Sequence, residues 1–177
     1  NKPHRLRRSE AMEWWTKLLN EGHRLACTAG RDWHCRDTEP PVLSATYLGL
    51  PDGNVTEQNA LDALRAGRTY VTLGPTMDIT ARQGETSGGL GDTLHTGDCE
   101  VYVDVGETER REHWARWGIA VRSVAVTGPN GTVKAPYTGE LCRIKTQGDR
   151  WLRVELYGDK QGQYDQLLAV SSPIYFA

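Results

Sequence analysis

Asp32 and His34 stand two residues apart in the stretch TAGRDWHC, Thr28–Cys35. In an extended segment residues i and i+2 project to the same side, so a carboxylate and an imidazole would reach one ion, or two adjacent ions, from a single strand end. Both are natural ligands for divalent zinc, manganese or iron. The competing reading is a polar turn in which Asp32 accepts backbone hydrogen bonds. Arg31 either clamps an anionic substrate or points to solvent, and Cys35 is a candidate soft ligand with no other thiol pattern around it. Trp33, between the two ligands, faces the opposite way and reads as packing.

Other residue groupings carry less. His95 and Asp98 in LHTGD fit a solvated loop better than a metal site. His113 has Trp114 and Trp117 beside it, aromatics that could stack on a sugar but more simply pack. His4 and His23 flank the first helix and read as surface. The four cysteines, Cys27, Cys35, Cys99 and Cys142, form no C-x-x-C pair. Cys99 and Cys142 could bridge two sheets, or all four could be buried reduced thiols. No G-x-S-x-G elbow, Walker loop or dinucleotide fingerprint is present. A net charge of −2 argues against nucleic-acid binding. No stretch is apolar for long enough to span a membrane as a helix.

The elements that must position Asp32 and His34 are legible around them. SEAMEWWTKLLN, Ser9–Asn20, spaces Met12, Trp15 and Leu19 by three and four, with Trp14 and Leu18 alongside. Ser9 is the expected N-cap and Gly22 the expected stop. RLACTAG then reads as a short buried strand ending at the candidate ligands. Thr56 caps a second helix with Ala60, Leu61 and Leu64 on its face and Gly67 after it, followed by the strand RTYVTLG. Helix then strand, twice over, predicts parallel strands joined by helical crossovers. Beyond Pro75 short alternating segments separated by glycine-rich turns predict an antiparallel β-sandwich of about seven strands, with a hairpin at GPNG.

The order of these pieces resembles the end of the polymerase-and-histidinol-phosphatase (PHP) superfamily of metallohydrolases. WWTKLLNEGHRLACTAGRDWH is similar to that family's last barrel motif, in which a helix ending in LLN-x-G leads to a strand and a GSD-x-H ligand motif. ALDALRAGRTYVTLGP and the terminal SSPIYFA resemble the carbaryl-hydrolase-like branch, whose chains continue into a β-sandwich. The resemblance implies that Asp32 and His34 are metal ligands, and that Arg31 replaces the small residue usual before the Asp. The family's opening His-x-His and its middle Glu and His ligands have no counterpart here, so the ion cluster would be incomplete in these residues.

The expected fold class is therefore α+β: C-terminal α/β units of a PHP-type barrel over residues 1–75, then a β-sandwich over 76–177. The expected function is that of the C-terminal part of a metal-dependent hydrolase. It would cleave a phosphoester or a carbamate- or amide-like bond with metal-activated water, and be inactive in isolation. The cofactor would be divalent zinc, manganese or iron in the longer protein, and the partner a small-molecule substrate, not nucleic acid or membrane. A homo-oligomer is also expected to be open to it, because Trp14, Trp15, Leu18 and Leu19 need a cover, either the sandwich or a second copy. The alternative is a non-catalytic sandwich module for binding or oligomerisation, with a degenerate metal site. The compartment stays open between cytoplasm and secretion.

Overall fold

The computed structural model describes residues 8–30, 44–50, 53–107 and 111–177. It is mostly β, with antiparallel sheets and two helices of eight residues or more among the described residues. The α+β class with a β-sandwich follows.

Alternation builds the smaller sheet. In β3 (Thr76–Gln83) Met77, Ile79 and Ala81 are buried, while Asp78 between them and Arg82 after them are exposed. β6 (Gly97–Gly106) repeats this with Cys99, Val101, Val103 and Val105 buried. These strands pair antiparallel with each other, with β4 (Thr86–Gly88) on one edge and β9 (Cys142–Gly148) on the other. The larger sheet centres on β10 (Trp151–Lys160), flanked by β7 (Ala120–Gly128) and β11 (Gln163–Ser171). Leu152, Val154 and Leu156 of β10 meet Val124 and Val126 of β7, and the β3 and β6 side chains, in one core. The GPNG hairpin forms as expected: β7 turns into β8 (Gly131–Pro136) with Gly128 opposite Gly131.

Among the described residues ten strands, β3 to β12, follow Pro75 instead of about seven. One of them, β4, comes from the glycine-rich stretch read as a turn, and β5 (Thr93–Leu94) follows that stretch directly. Pro173 cannot donate to a ladder, and the terminal segment is split there into β11 and β12 (Ile174–Phe176). The stretch around His113 is a short helix, α3 (Arg111–Trp114), and a 3-10 turn at Ala115–Trp117. Trp114 is buried against Gly74, so it packs and does not present a stacking face.

The first part of the chain joins this larger sheet. β1 (Ala45–Leu48) and β2 (Thr69–Thr72) are antiparallel to each other, and β2 is antiparallel to β11. The expected parallel α/β units are therefore not formed among the described residues, and the pairing does not support a barrel there. The helix between the strands, α2 (Glu57–Ala66), connects antiparallel neighbours instead of making a crossover. Its ends are as read. Thr56 Oγ1 accepts from the Asn59 amide, and Gly67 closes it at φ 72. Its buried residue is Ala63, whereas Leu61 is 38% exposed.

α1 (Arg8–Asn20) starts one residue early, which puts Ser9 in its first turn instead of at its cap. Its apolar stripe lies on the outer face of the larger sheet. Leu19 is buried with Trp151 and Tyr175, and Trp15 and Leu25 pack against them. The sandwich is thus the cover for this face, although Trp14 remains 65% exposed. The contact is also polar: Trp151 Nε1 donates to Asn20 Oδ1 at 3.0 Å and Arg150 donates to the Asn20 carbonyl at 2.9 Å.

Candidate functional site

Arg31, Asp32, His34 and Cys35 lie outside the described residues. The segment that delivers them, Arg24–Gly30, is described, and its anchoring is specific. It was expected to be a buried strand, yet it joins no backbone ladder. Its alternate amides instead donate to side-chain hydroxyls: Leu25 to Tyr175 Oη (3.1 Å), Cys27 to Ser172 Oγ (2.9 Å) and Ala29 to Thr46 Oγ1 (2.8 Å). The two-residue period is that of an extended chain. The acceptors come from β12, from the corner before it and from β1. The strand reading erred because the hydrogen bonds it called for are supplied by side chains.

Arg24 fastens the start of this stem. Its guanidinium sits 3.8 Å from the centre of the Tyr175 ring and donates to Thr93 Oγ1 at 2.9 Å and to the Gly91 carbonyl at 2.7 Å. Trp15 Nε1 donates to the Leu25 carbonyl at 3.3 Å, tying the stem to α1 as well. Farther along, Thr69 Oγ1 bonds the Cys27 carbonyl at 2.7 Å and lies 2.7 Å from Ser172 Oγ. Thr69 and Ser172 are fully buried. None of these hydroxyls was singled out from the sequence. Thr69 sits in RTYVTLG and Ser172 in SSPIYFA, and single hydroxyl residues in strands carry no spacing signal of their own.

Cys27 is the buried residue of this segment. Burial pushes its thiol above the ordinary range, only partly offset by hydrogen bonding with Ser172 and Thr69. A neutral thiol is a poor metal donor. The Asp32 and His34 side chains, carboxylate and imidazole, suit a divalent ion by chemistry. Among the described residues no three or more His, Cys, Asp or Glu converge to hold one.

The raised thiol has a consequence for stability. The folded state keeps the Cys27 proton where the unfolded chain releases it, so stability is intact below the ordinary thiol pKa and falls as pH rises through it. Burial acts in the same direction on Cys99 and Cys142. Urea midpoints should therefore decline above about pH 8.5, with a shallower decline in Cys27→Ala. An unchanged slope in that variant would contradict the assignment.

The remaining candidates do not assemble. His95 and Asp98 are exposed, and Asp98 Oδ1 only meets the Gln147 amide at 3.4 Å. His23 is exposed. His4 and the His113 side chain lie outside the described residues. Cys99 and Cys142 do not bridge sheets. They are free thiols on paired strands of one sheet, where Cys99 faces Thr146 and Cys142 faces Val103. Among the described residues no helix is long and apolar enough to cross a membrane. No family model matches the chain, and neither a curated protein nor a solved structure matches it.

Proposed function

We propose that this chain is the C-terminal part of a metal-dependent hydrolase of the PHP kind, with Asp32 and His34 as two of its metal ligands. One observation supports the reading above others: the stem leading to Asp32 and His34 is hydrogen-bonded at Leu25, Cys27 and Ala29 to side chains of the larger sheet. A surface turn has no need of such anchoring, whereas a metal ligand gains affinity from being held in place before the ion arrives. In this reading α1 and the extended stem stand where the family's last helix and ligand-bearing segment do, and the sandwich is their support.

When bound, a divalent zinc, manganese or iron ion supplies Lewis-acid chemistry, acidifying water and polarising a phosphoryl or carbonyl oxygen. The chain's own Asp32 and His34 would supply a carboxylate and an imidazole as ligands, and Arg31 would offer a guanidinium to an anionic substrate such as a phosphoester. A carbamate or amide-like bond is the second substrate class. On the family pattern the rest of the ligand set would be supplied by residues preceding Asp32 in the full-length polypeptide.

The test uses the full-length polypeptide. Asp32→Ala and His34→Ala should each lower bound metal and cut hydrolysis of phosphoester or carbamate substrates by at least about a hundredfold, as expected when a metal's direct ligand is lost. Variants that keep metal and activity would end the proposal. The rival reading, a non-catalytic sandwich module, draws on the fact that the two sheets close one hydrophobic core from the described residues after Pro75. The coding sequence upstream of Asn1 separates the two. A His-x-His within a couple of hundred codons belongs to the hydrolase, an unrelated domain to the module.

A further inference from the structure

Alternate residues of β10 face away from the core. Leu152, Val154 and Leu156 point inward, so Arg153, Glu155 and Tyr157 lie on the outer face of the larger sheet. α1 covers that face only in part. Beside it runs a groove of about 490 Å³ with these three side chains as its floor. Met12 of α1, Leu167 of β11, and Thr127 and Thr132 of the β7–β8 hairpin line it as well. The volume is within the range of small-ligand clefts, about 300–1,000 Å³. A second groove, of about 530 Å³, follows α1 and shares Met12 and Arg153 with the first. The Arg153 side chain therefore stands where the two grooves meet.

This floor is polar, buried and incompletely used. Arg153 and Glu155 are 5% and 3% exposed. Arg153 donates from Nε to Glu155 and from Nη1 to Thr16 Oγ1, and the Trp15 and Trp151 rings flank its guanidinium at 4.9 Å and 5.3 Å. Among the described residues Nη2 has no acceptor, and it is not sealed from solvent, because the sealed side-chain polar atom left without a partner is Gln83 Oε1. Each Glu155 oxygen takes one hydrogen bond, from Arg153 or from Tyr157 Oη, and has a second lone pair to offer. On the rim Thr127 and Thr132 share one hydrogen bond at 3.0 Å, so one of their two protons is left for a further acceptor. A buried ion pair adds little stability over apolar side chains of the same volume. Stability alone does not explain such a pair under a groove, with donors and acceptors still unused.

The charges decide the class of ligand. Arg153 balances Glu155, and Asp165 is balanced by Lys134, whose Nζ lies 2.6 Å from Asp165 Oδ1 and 4.5 Å from the centre of the Tyr157 ring. Asp165 is placed there by a bulge: the β10–β11 register shifts beside it, and its φ is 52. A groove whose charges are already paired offers an ionic ligand no counterion. It suits an uncharged ligand whose polar groups both donate and accept, with C–H faces to lie on Met12 and Leu167. The vicinal hydroxyls of a sugar have that character. We propose that this groove binds a neutral oligosaccharide, with Arg153 Nη2 and Glu155 taking two adjacent hydroxyls of one sugar unit and the Thr127–Thr132 pair a third. The groove along α1 has room for the next unit. The site stands independently of the reading of Asp32 and His34 as metal ligands.

The experiment is calorimetric titration of the full-length polypeptide with cellopentaose, maltopentaose and mannopentaose, and with the anionic pentamer of galacturonate for comparison. At least one neutral sugar is expected to bind with a dissociation constant below about 1 mM, and the galacturonate more weakly. Arg153→Lys keeps a positive charge beside Glu155 but loses the second terminal nitrogen, and should weaken that binding about tenfold. Thr132→Val, on the exposed rim, should weaken it about threefold. Tyr102→Ala, on the outer face of the smaller sheet, should leave it unchanged. If Arg153→Lys does not fold, Thr132→Val decides, since Thr132 is exposed. Binding of none of the three neutral sugars overturns the proposal. Galacturonate binding more tightly than every neutral sugar also overturns it, because the groove would then be an anion site. Parental affinity in the folded groove variants does the same. Loss of binding in Tyr102→Ala, with Thr132→Val binding as the parent does, puts the sugar on the other sheet and overturns it too.

Discussion

Glu155→Ala should lower the unfolding free energy by about 3–5 kcal/mol, the range for stranding one partner of a buried ion pair. Glu155 and Arg153 are 3% and 5% exposed, with Arg153 Nε donating to Glu155 Oε1 at 2.7 Å. Tyr157 Oη donates to the other carboxylate oxygen at 2.6 Å. The guanidinium also donates to Thr16 Oγ1 of α1 at 2.9 Å and lies 4.9 Å from the Trp15 ring and 5.3 Å from the Trp151 ring. Removing the carboxylate leaves a buried positive charge without its counterion and a tyrosine hydroxyl without its acceptor. It also loosens the group that docks α1, so the tryptophan emission of α1 should change before global unfolding. Replacing both partners by apolar residues, Arg153→Met with Glu155→Leu, removes the stranded charge and should cost far less than Glu155→Ala. Urea titrations of the three chains decide it. A loss below about 1 kcal/mol in Glu155→Ala would place the pair with ordinary surface bridges.

Gly91→Ala should cost about 3 kcal/mol or more, from a left-handed backbone and from steric overlap together. Gly91 has φ +81, and a Cβ built there would lie 1.9 Å from the Ala66 carbonyl oxygen. That oxygen belongs to backbone at the end of α2, which cannot swing aside as a flexible side chain would. The Gly91 amide donates to the Pro173 carbonyl at 2.9 Å, and its own carbonyl accepts from Arg24. One glycine thus lets α2, the terminal corner and the stem approach each other. Gly84→Ala is the control: φ there is +59, but nothing lies within 4 Å of the added carbon. It should cost only about 1 kcal/mol, the backbone part alone. Equal losses in thermal melts of the two variants would remove the close-packing argument.

What could be read from the residues follows from how local each signal is. The buried Met77, Ile79 and Ala81 alternate along one strand, so the pattern is visible without knowing the partner. Thr56 and Gly67 bracket α2 because caps act within one turn. Strand direction is not local. The helix between RLACTAG and RTYVTLG reads as a parallel crossover, yet RTYVTLG pairs antiparallel with β1, a segment not read as a strand. In WLRVELYG, Arg153 and Glu155 alternate with Val154 and Leu156 as a solvent face would, and they are buried because α1 lies over them. The stem was legible as extended, but its acceptors at Thr46, Ser172 and Tyr175 lie 17 to 150 residues away. Asp32 and His34 were singled out by their spacing together with the resemblance of the segments around them, and they lie outside the described residues.

Anomalous diffraction at the zinc or manganese edge, from crystals of the full-length polypeptide, locates the ion without recourse to any variant. If Asp32 and His34 are ligands, a peak lies about 2.0–2.2 Å from a carboxylate oxygen of Asp32 and from a ring nitrogen of His34, with the Ala29–Thr46 tie intact behind it. An ion bound elsewhere, with Asp32 and His34 turned to backbone amides or solvent, would show that TAGRDWHC is a polar turn and not part of a metal centre.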